Sequence, residues 1–200
     1  VYWDYAGFLT TLNLNRADEV IEAGNKGEQL DPSNSAFQLS WVYSILRRYD
    51  QAAEHAQRAI KENPNSPDAH GYLADALVGQ GKFAQAIDER QKALQLSLAG
   101  DRGRALIGLA TLLAKSGQKE EARKHLDEIN QLAGQMYVSP VRLALLHEAL
   151  GDRERAFDWL QRAYDGRSDH LLMMATSPDF DSLRAEPRFQ ALLKKVFPEQ

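Results

Sequence analysis

Residues 39–65, LSWVYSILRRYDQAAEHAQRAIKENPN, decide how the rest of the chain is read. Leu39, Tyr43 and Leu46 recur at spacings of three and four, so they share one helical face. Ala52, Ala56, Ala59 and Ile60 do the same after a short turn at Arg48 to Asp50. The second pattern stops at Asn63-Pro64, where proline lacks a donor and pushes its predecessor out of the helical region. Neither helix is long enough to be stable alone in water, so each must pack its apolar stripe on a neighbour.

The unit recurs. With a period of about 34 residues, Leu73, Ala74, Leu77, Gly81, Phe83, Ala86 and Ala93 repeat the pattern over 67–102. After a two-residue slip near Gly100, Leu109, Ala110, Leu113, Gly117, Ala122, Leu126 and Ile129 restore it over 103–136. Leu143, Ala144, His147, Gly151, Ala156, Leu160 and Ala163 repeat it over 137–170. Ser66-Pro67 and Ser139-Pro140 supply a capping hydroxyl and a proline at the first helical position, where its missing N–H is not needed.

Residues 1–32 form a weaker copy, with a first helix expected over Tyr2 to Leu14. Val20, Gly24 and Gly27 stand where alanine or a larger apolar residue is expected, and interior glycine costs a helix about 1 kcal/mol against alanine. Residues 171–200 read as a cap: Ser177-Pro178 and Glu186-Pro187 break the chain, and an amphipathic helix runs from Pro187 to Phe197.

Each of these units resembles a tetratricopeptide repeat. Leu39, Ser40, Tyr43, Tyr49, Ala52, Ala56, Ala59 and Pro64 occupy the motif's positions in residues 33–66, and the later copies follow in register. The resemblance implies an all-α, right-handed solenoid of about five helix-turn-helix units with a C-terminal capping helix. All the units would form one domain presenting a concave, interaction-type surface. The C-terminal segment also resembles the ending of many bacterial multidomain signalling proteins, in which such repeats follow a DNA-binding, kinase or cyclase domain. Asp179, Phe180, Asp181, Leu183, Arg184, Pro187, Arg188 and Phe189 carry that second likeness. It implies the interaction or sensor arm of a larger regulator, and a first residue other than methionine reads as the start of an excised piece.

Composition narrows the classes. The 200 residues contain no cysteine, which excludes disulfides, thiol nucleophiles and cysteine-ligated metal. A net charge of −4 argues against a general nucleic-acid binder. No apolar run reaches the length needed to cross a bilayer. The expected location is cytoplasmic, or periplasmic if a membrane segment precedes the chain.

The resemblance places the groove at the second, fifth, ninth, twelfth and thirteenth positions of each unit. Among these, Tyr5, Phe37, Trp41, Ile45, Asp68, Asp75, Arg104 and Lys115 are the candidate partner-binding residues, with Ile107, Val141 and Leu145 on the same map. Aromatic anchors beside charges suit a protein partner or an extended peptide. A small molecule bound in the groove and controlling an attached domain is the alternative. Lys and Asn do not occupy the fifth and ninth positions of any unit, so clamping of a C-terminal carboxylate is not expected. Tyr2, Trp3 and Phe8 form an aromatic edge that self-association would cover.

Enzyme chemistry finds no footing. The five histidines, His55, His70, His125, His147 and His170, lie in different units. His147-Glu148 lacks the second histidine of a zinc helix, and His147 stands at a core position of its repeat. Asp179-Phe180-Asp181 lacks the glycine and distant glutamate of a calcium loop and suits turn capping instead. Gly79-Gln80-Gly81 lacks the strand and lysine of a phosphate loop. No catalytic set, metal site or cofactor is expected.

Overall fold

A computed structural model describes residues 17–30, 32–132 and 137–198, all in helices and their connections. Among the described residues ten α-helices follow one another: α1 (Ala17–Leu30), α2 (Pro32–Ile45), α3 (Tyr49–Glu62), α4 (Pro67–Gly79), α5 (Phe83–Leu96), α6 (Arg102–Lys115), α7 (Lys119–Leu132), α8 (Pro140–Leu150), α9 (Arg153–Asp165) and α10 (Pro187–Val196). Two short 3-10 segments, Asp169–Ala175 and Pro178–Phe180, lie between α9 and α10. The chain divides into two compact units, residues 1–98 and 99–200. The expected helix at Tyr2 to Leu14, and with it Tyr2, Trp3, Tyr5 and Phe8, falls outside the described residues.

In the first unit α2 pairs with α3 and α4 with α5, while α3 lies on α4, α1 on α2 and α2 beside α4. Small residues make this spacing possible. Ser40, Ala52, Ala56, Ala74 and Ala86 are each fully buried, so the helices approach along alanine and serine faces while Leu39, Val42 and Leu73 fill the space between them. Gly24 and Gly27 belong to the same scheme: both are buried, and they fall on the face of the fully buried Val20. The intrinsic weakness of these glycines in a helix is therefore set against the close contact of α1 with α2.

Four hairpin turns among the described residues are built alike. A residue one or two positions past the first helix adopts the left-handed conformation, at Arg47 (φ 57°), Gly81 (74°), Gly117 (91°) and Gly151 (92°). The next amide donates back five residues, from Arg48, Lys82, Gln118 and Asp152 to the carbonyls of Tyr43, Leu77, Leu113 and His147, at 2.8–2.9 Å. These bonds satisfy carbonyls that the helix end would otherwise leave unpaired. Ser66 opens α4 by accepting the Ala69 amide at 3.2 Å, with Pro67 in the first turn.

In the second unit α6 pairs with α7 and α8 with α9, and α6 lies beside α8. The C-terminal segment closes this unit. Phe180, Leu183 and Phe189 are buried against Phe157, Leu160 and Met174, and the rings of Phe180 and Phe189 lie 5.7 Å apart. Arg184 holds the 3-10 region together, donating to the carbonyls of Met174, Ala175 and Ser177 at 2.9–3.1 Å and to Asp181 at 3.0 Å. The Arg188 guanidinium caps the Phe157 ring at 4.5 Å and pairs with Glu154 at 2.8 Å. The residues of the second resemblance thus include the cap's core and its clasp.

Candidate partner-binding surface

The first helices α2, α4, α6 and α8 can be aligned in register on their left-handed turn residues. Six residues before that point stand Trp41, Asp75, Thr111 and Leu145. All four are partly or fully exposed, while both chain neighbours of each are buried: Ser40 and Val42, Ala74 and Ala76, Ala110 and Leu112, Ala144 and Leu146. A helix buried on both flanks of one accessible position exposes a narrow stripe, and the stripe recurs in each of these repeats.

Four residues earlier the situation reverses. Gly71, Ile107 and Val141 are buried, Val141 within the core that holds Phe157, Leu160 and Met174. Ile107 at 2% and Val141 at 3% exposure therefore belong to the interior. Ile45, at 5%, is interior as well. Phe37 lies in α2, but its side chain is outside the described residues, as is Tyr5. Asp68 and Arg104 are half-buried near the starts of α4 and α6, and Asp75 and Lys115 are exposed.

Trp41 is half-buried against Val20, Ile21, Val42 and Leu46, so only part of its ring is available to a partner. Asp75 is paired with Arg90, which reaches over from α5. The path is open because residue 71 is glycine: a β-carbon there would stand 3.2 Å from an Arg90 terminal nitrogen. Arg90 is absent from the groove positions inferred from the repeat, and the signal for it was the glycine standing where the other repeats carry Ile107 and Val141. Lys115 meets Asp179 of the 3-10 region at 3.0 Å. Asp179 also has its amide bonded to the Ser177 hydroxyl at 3.3 Å, the turn capping expected of that segment.

The buried histidines are built into the packing. His70 places Nδ1 2.5 Å from Glu89 and Nε2 3.0 Å from the Pro64 carbonyl, joining α4, α5 and the connection before α4. Burial works against ionisation of Glu89, but the hydrogen bonds from Lys92 and His70 outweigh it and hold the carboxyl below its usual range. His55 stacks on Tyr43 with ring centroids 5.1 Å apart. Burial pushes the His55 imidazole below its ordinary value and the Tyr43 hydroxyl above its own. His147 is lowered by burial too, with Arg155 adding to the effect and Asp152 opposing it. Among the described residues no three His, Asp or Glu side chains are grouped to hold a metal ion, and no helix is long and apolar enough to cross a membrane.

Residues 46–95 match one tetratricopeptide repeat model and residues 73–136 match another. No curated protein matches the chain. Among solved structures, a protein of Thermus thermophilus described as a thermophilic tetratricopeptide repeat protein is 17% identical, with a TM-score of 0.63 over 90% of this chain and 92% of that one. MamA is 20% identical, with a TM-score of 0.52 over 85% of this chain and 92% of that one. Cut9–Hcn1, an APC/C hetero-tetramer, is 14% identical, with a TM-score of 0.61 over 98% of this chain and 42% of that one. Each likeness is one of fold, an all-α solenoid of helical repeats.

Proposed function

We propose, from the premise that residues 46–136 belong to the tetratricopeptide repeat family, that this chain is a protein–protein interaction module. Each unit receives a peptide or partner helix on its first helices. The observation that carries this reading is the stripe of accessible positions at Trp41, Asp75, Thr111 and Leu145, each between buried neighbours. In the first unit the stripe sets an aromatic beside a carboxylate, and in the second a hydroxyl beside an aliphatic residue, which suits side-chain readout of an extended ligand by each unit. The Arg90–Asp75 pair sets the charge next to Trp41's helix, and Asp68, Arg104 and Lys115 add polar contacts at the helix ends.

The repeats run over 33–66, 67–102, 103–136 and 137–170, with a degenerate unit before them and a cap at 171–200. Residues 179–189 support placing the module in a bacterial regulator whose output domain lies elsewhere in the protein. The reading is tested by selecting binders from a random peptide library on the intact chain and mapping their amide shifts. Shifts centred on residues 41, 75, 111 and 145, lost with Asp75→Lys in a folded protein, are expected. Selected peptides that map to other faces, or that ignore Asp75→Lys, would overturn it.

A further inference from the structure

The net charge of −4 sits in one of the chain's two units. Residues 1–98 hold 13 Asp and Glu against 9 Lys and Arg, while residues 99–200 hold 15 of each. The first unit therefore attracts cations at long range, and the second is balanced. Within the first unit the stripe of accessible positions offers such a charge a place to dock.

Asp75 lies on the accessible face of α4, between the buried Ala74 and Ala76. Arg90 donates through Nη2 to its Oδ1, and among the described residues Oδ2 receives no hydrogen bond. The two members of the pair differ in access: the Asp75 side chain is 47% exposed and that of Arg90 12%. A partner thus meets the carboxylate, with the guanidinium behind it. Arg90 also holds the Asp75 rotamer, so little side-chain freedom is left to lose on binding. Gly71 admits the arginine, since a β-carbon there would stand 3.2 Å from Arg90 Nη1. The half-buried Trp41 ring occupies the same register position of α2, which lies beside α4. Neighbouring helices run about 8–10 Å apart. An extended chain rises about 3.3 Å per residue, so one segment reaches both side chains within about four residues.

We propose that the partner segment taken by the first unit carries a lysine or arginine that pairs with Asp75, close to an apolar residue that covers the Trp41 ring. The inference rests on the interaction-module reading and names the chemistry of the ligand in this unit. A cation gives Oδ2 a charge-assisted hydrogen bond. An acidic side chain in the same place would meet both Asp75 and the unit's surplus of negative charge. Arg90 acts through Asp75 as a positioning residue.

The experiment sequences peptides selected from a random library on the full chain and on its Asp75→Asn and Asp75→Lys variants, at one ionic strength because exposed charges are screened by salt. Lysine or arginine within about four positions of an aromatic or aliphatic residue should be enriched on the parent chain. That enrichment should vanish with Asp75→Asn and give way to Asp or Glu with Asp75→Lys. A second measurement needs no variant to fold: acetylating the selected lysine, or replacing the selected arginine by citrulline, should lower affinity for the parent chain on the order of tenfold. Glu62→Gln removes the same charge from the exposed end of α3, and should leave the parent affinity within about twofold. Selected peptides that shift residues 41 and 75 without basic enrichment, or that tolerate loss of their charge, would overturn this inference and leave the module reading standing. Equal weakening by Glu62→Gln and Asp75→Asn would do the same, by showing a general attraction to an acidic unit. Peptides that map to other faces, or no selected peptides at all, would overturn both.

Discussion

The ring of Tyr49 fills the space where any residue other than glycine at position 79 would place its β-carbon. A β-carbon built on Gly79 would stand 2.2 Å from Tyr49 Cδ1 and 2.4 Å from Cγ. The obstructing atoms are at the root of the ring, so no flexible tip can swing aside. The last turn of α4 thus rests on the first residue of α3, and one hairpin is keyed into the next.

Gly79→Ala should therefore destabilise the first unit, although alanine is the better helix former. The gain in propensity is about 1 kcal/mol, and overpacking of this kind costs about 1–3 kcal/mol. Urea unfolding gives the net sign. Tyr49→Ala in the same chain should reverse the effect, so that Gly79→Ala becomes stabilising in that background. A loss of the same size in both backgrounds would show that the ring is not the obstacle.

Arg184 is the second point where one side chain holds a loop. Its guanidinium satisfies three carbonyls of the 3-10 region from a single planar group, a geometry that an ammonium cannot reproduce. Arg184→Ala should cost about 1–3 kcal/mol in the second unit, in line with hydrogen bonds to charged groups. Arg184→Lys should recover less than half of that. Hydrogen exchange at residues 174–183 should accelerate in both variants, and unchanged protection there would mean that the Phe180–Phe189 core holds the loop without the clasp.

The helices were legible because their apolar spacing, prolines and glycine turns act locally. The Ser66-Pro67 start, the α3 stop at Asn63 and the left-handed glycines at 81, 117 and 151 follow from residues within a few positions of each other. What the sequence did not display are relations between helices. Ile107 and Val141 look like surface positions in a single repeat, and both are interior in the fold, Val141 among Phe157, Leu160 and Met174 of later segments. Gly79 reads as part of a turn until Tyr49 from the preceding hairpin is laid upon it. Arg90 reaches the Asp75 face only through the gap at Gly71, which no within-helix periodicity marks. Arg47 differs because its sequence neighbours give no hint that its backbone is left-handed. The pattern shared with three glycines shows it only once the four turns are aligned.

Ser66 offers a local test of helix α4. Its hydroxyl accepts the Ala69 amide and it precedes Pro67. Ser66→Ala should cost about 1 kcal/mol, and Ser66→Asp should keep most of the stability because a carboxylate accepts the same amide and favours the helix N-terminus. Thermal unfolding of the three proteins decides the order. Equal stability of all three would mean that Pro67 alone sets the start.

His147 makes stability depend on pH. It stands at the register position of Tyr43, Leu77 and Leu113, with only 6% of its surface exposed. Arg123, Leu126, Asp127, Leu150, Asp152 and Arg155 surround it around a cavity of about 280 Å³. Burial lowers its folded-state value and Arg155 assists, against the attraction of Asp152. In the unfolded chain an imidazole titrates near pH 6.5. As pH falls below that value the unfolded chain takes up the proton first, so the folded state loses stability between the unfolded and the folded values. His55 acts in the same direction in the first unit. His147→Leu, which installs the side chain found at two of the equivalent positions, should leave stability near neutral pH little changed. It should remove part of the acid loss, so the variant gains on the parent protein as urea unfolding is repeated from about pH 7.5 down to about pH 5. Parallel curves across that range would assign the acid sensitivity to His55 and the carboxylates instead.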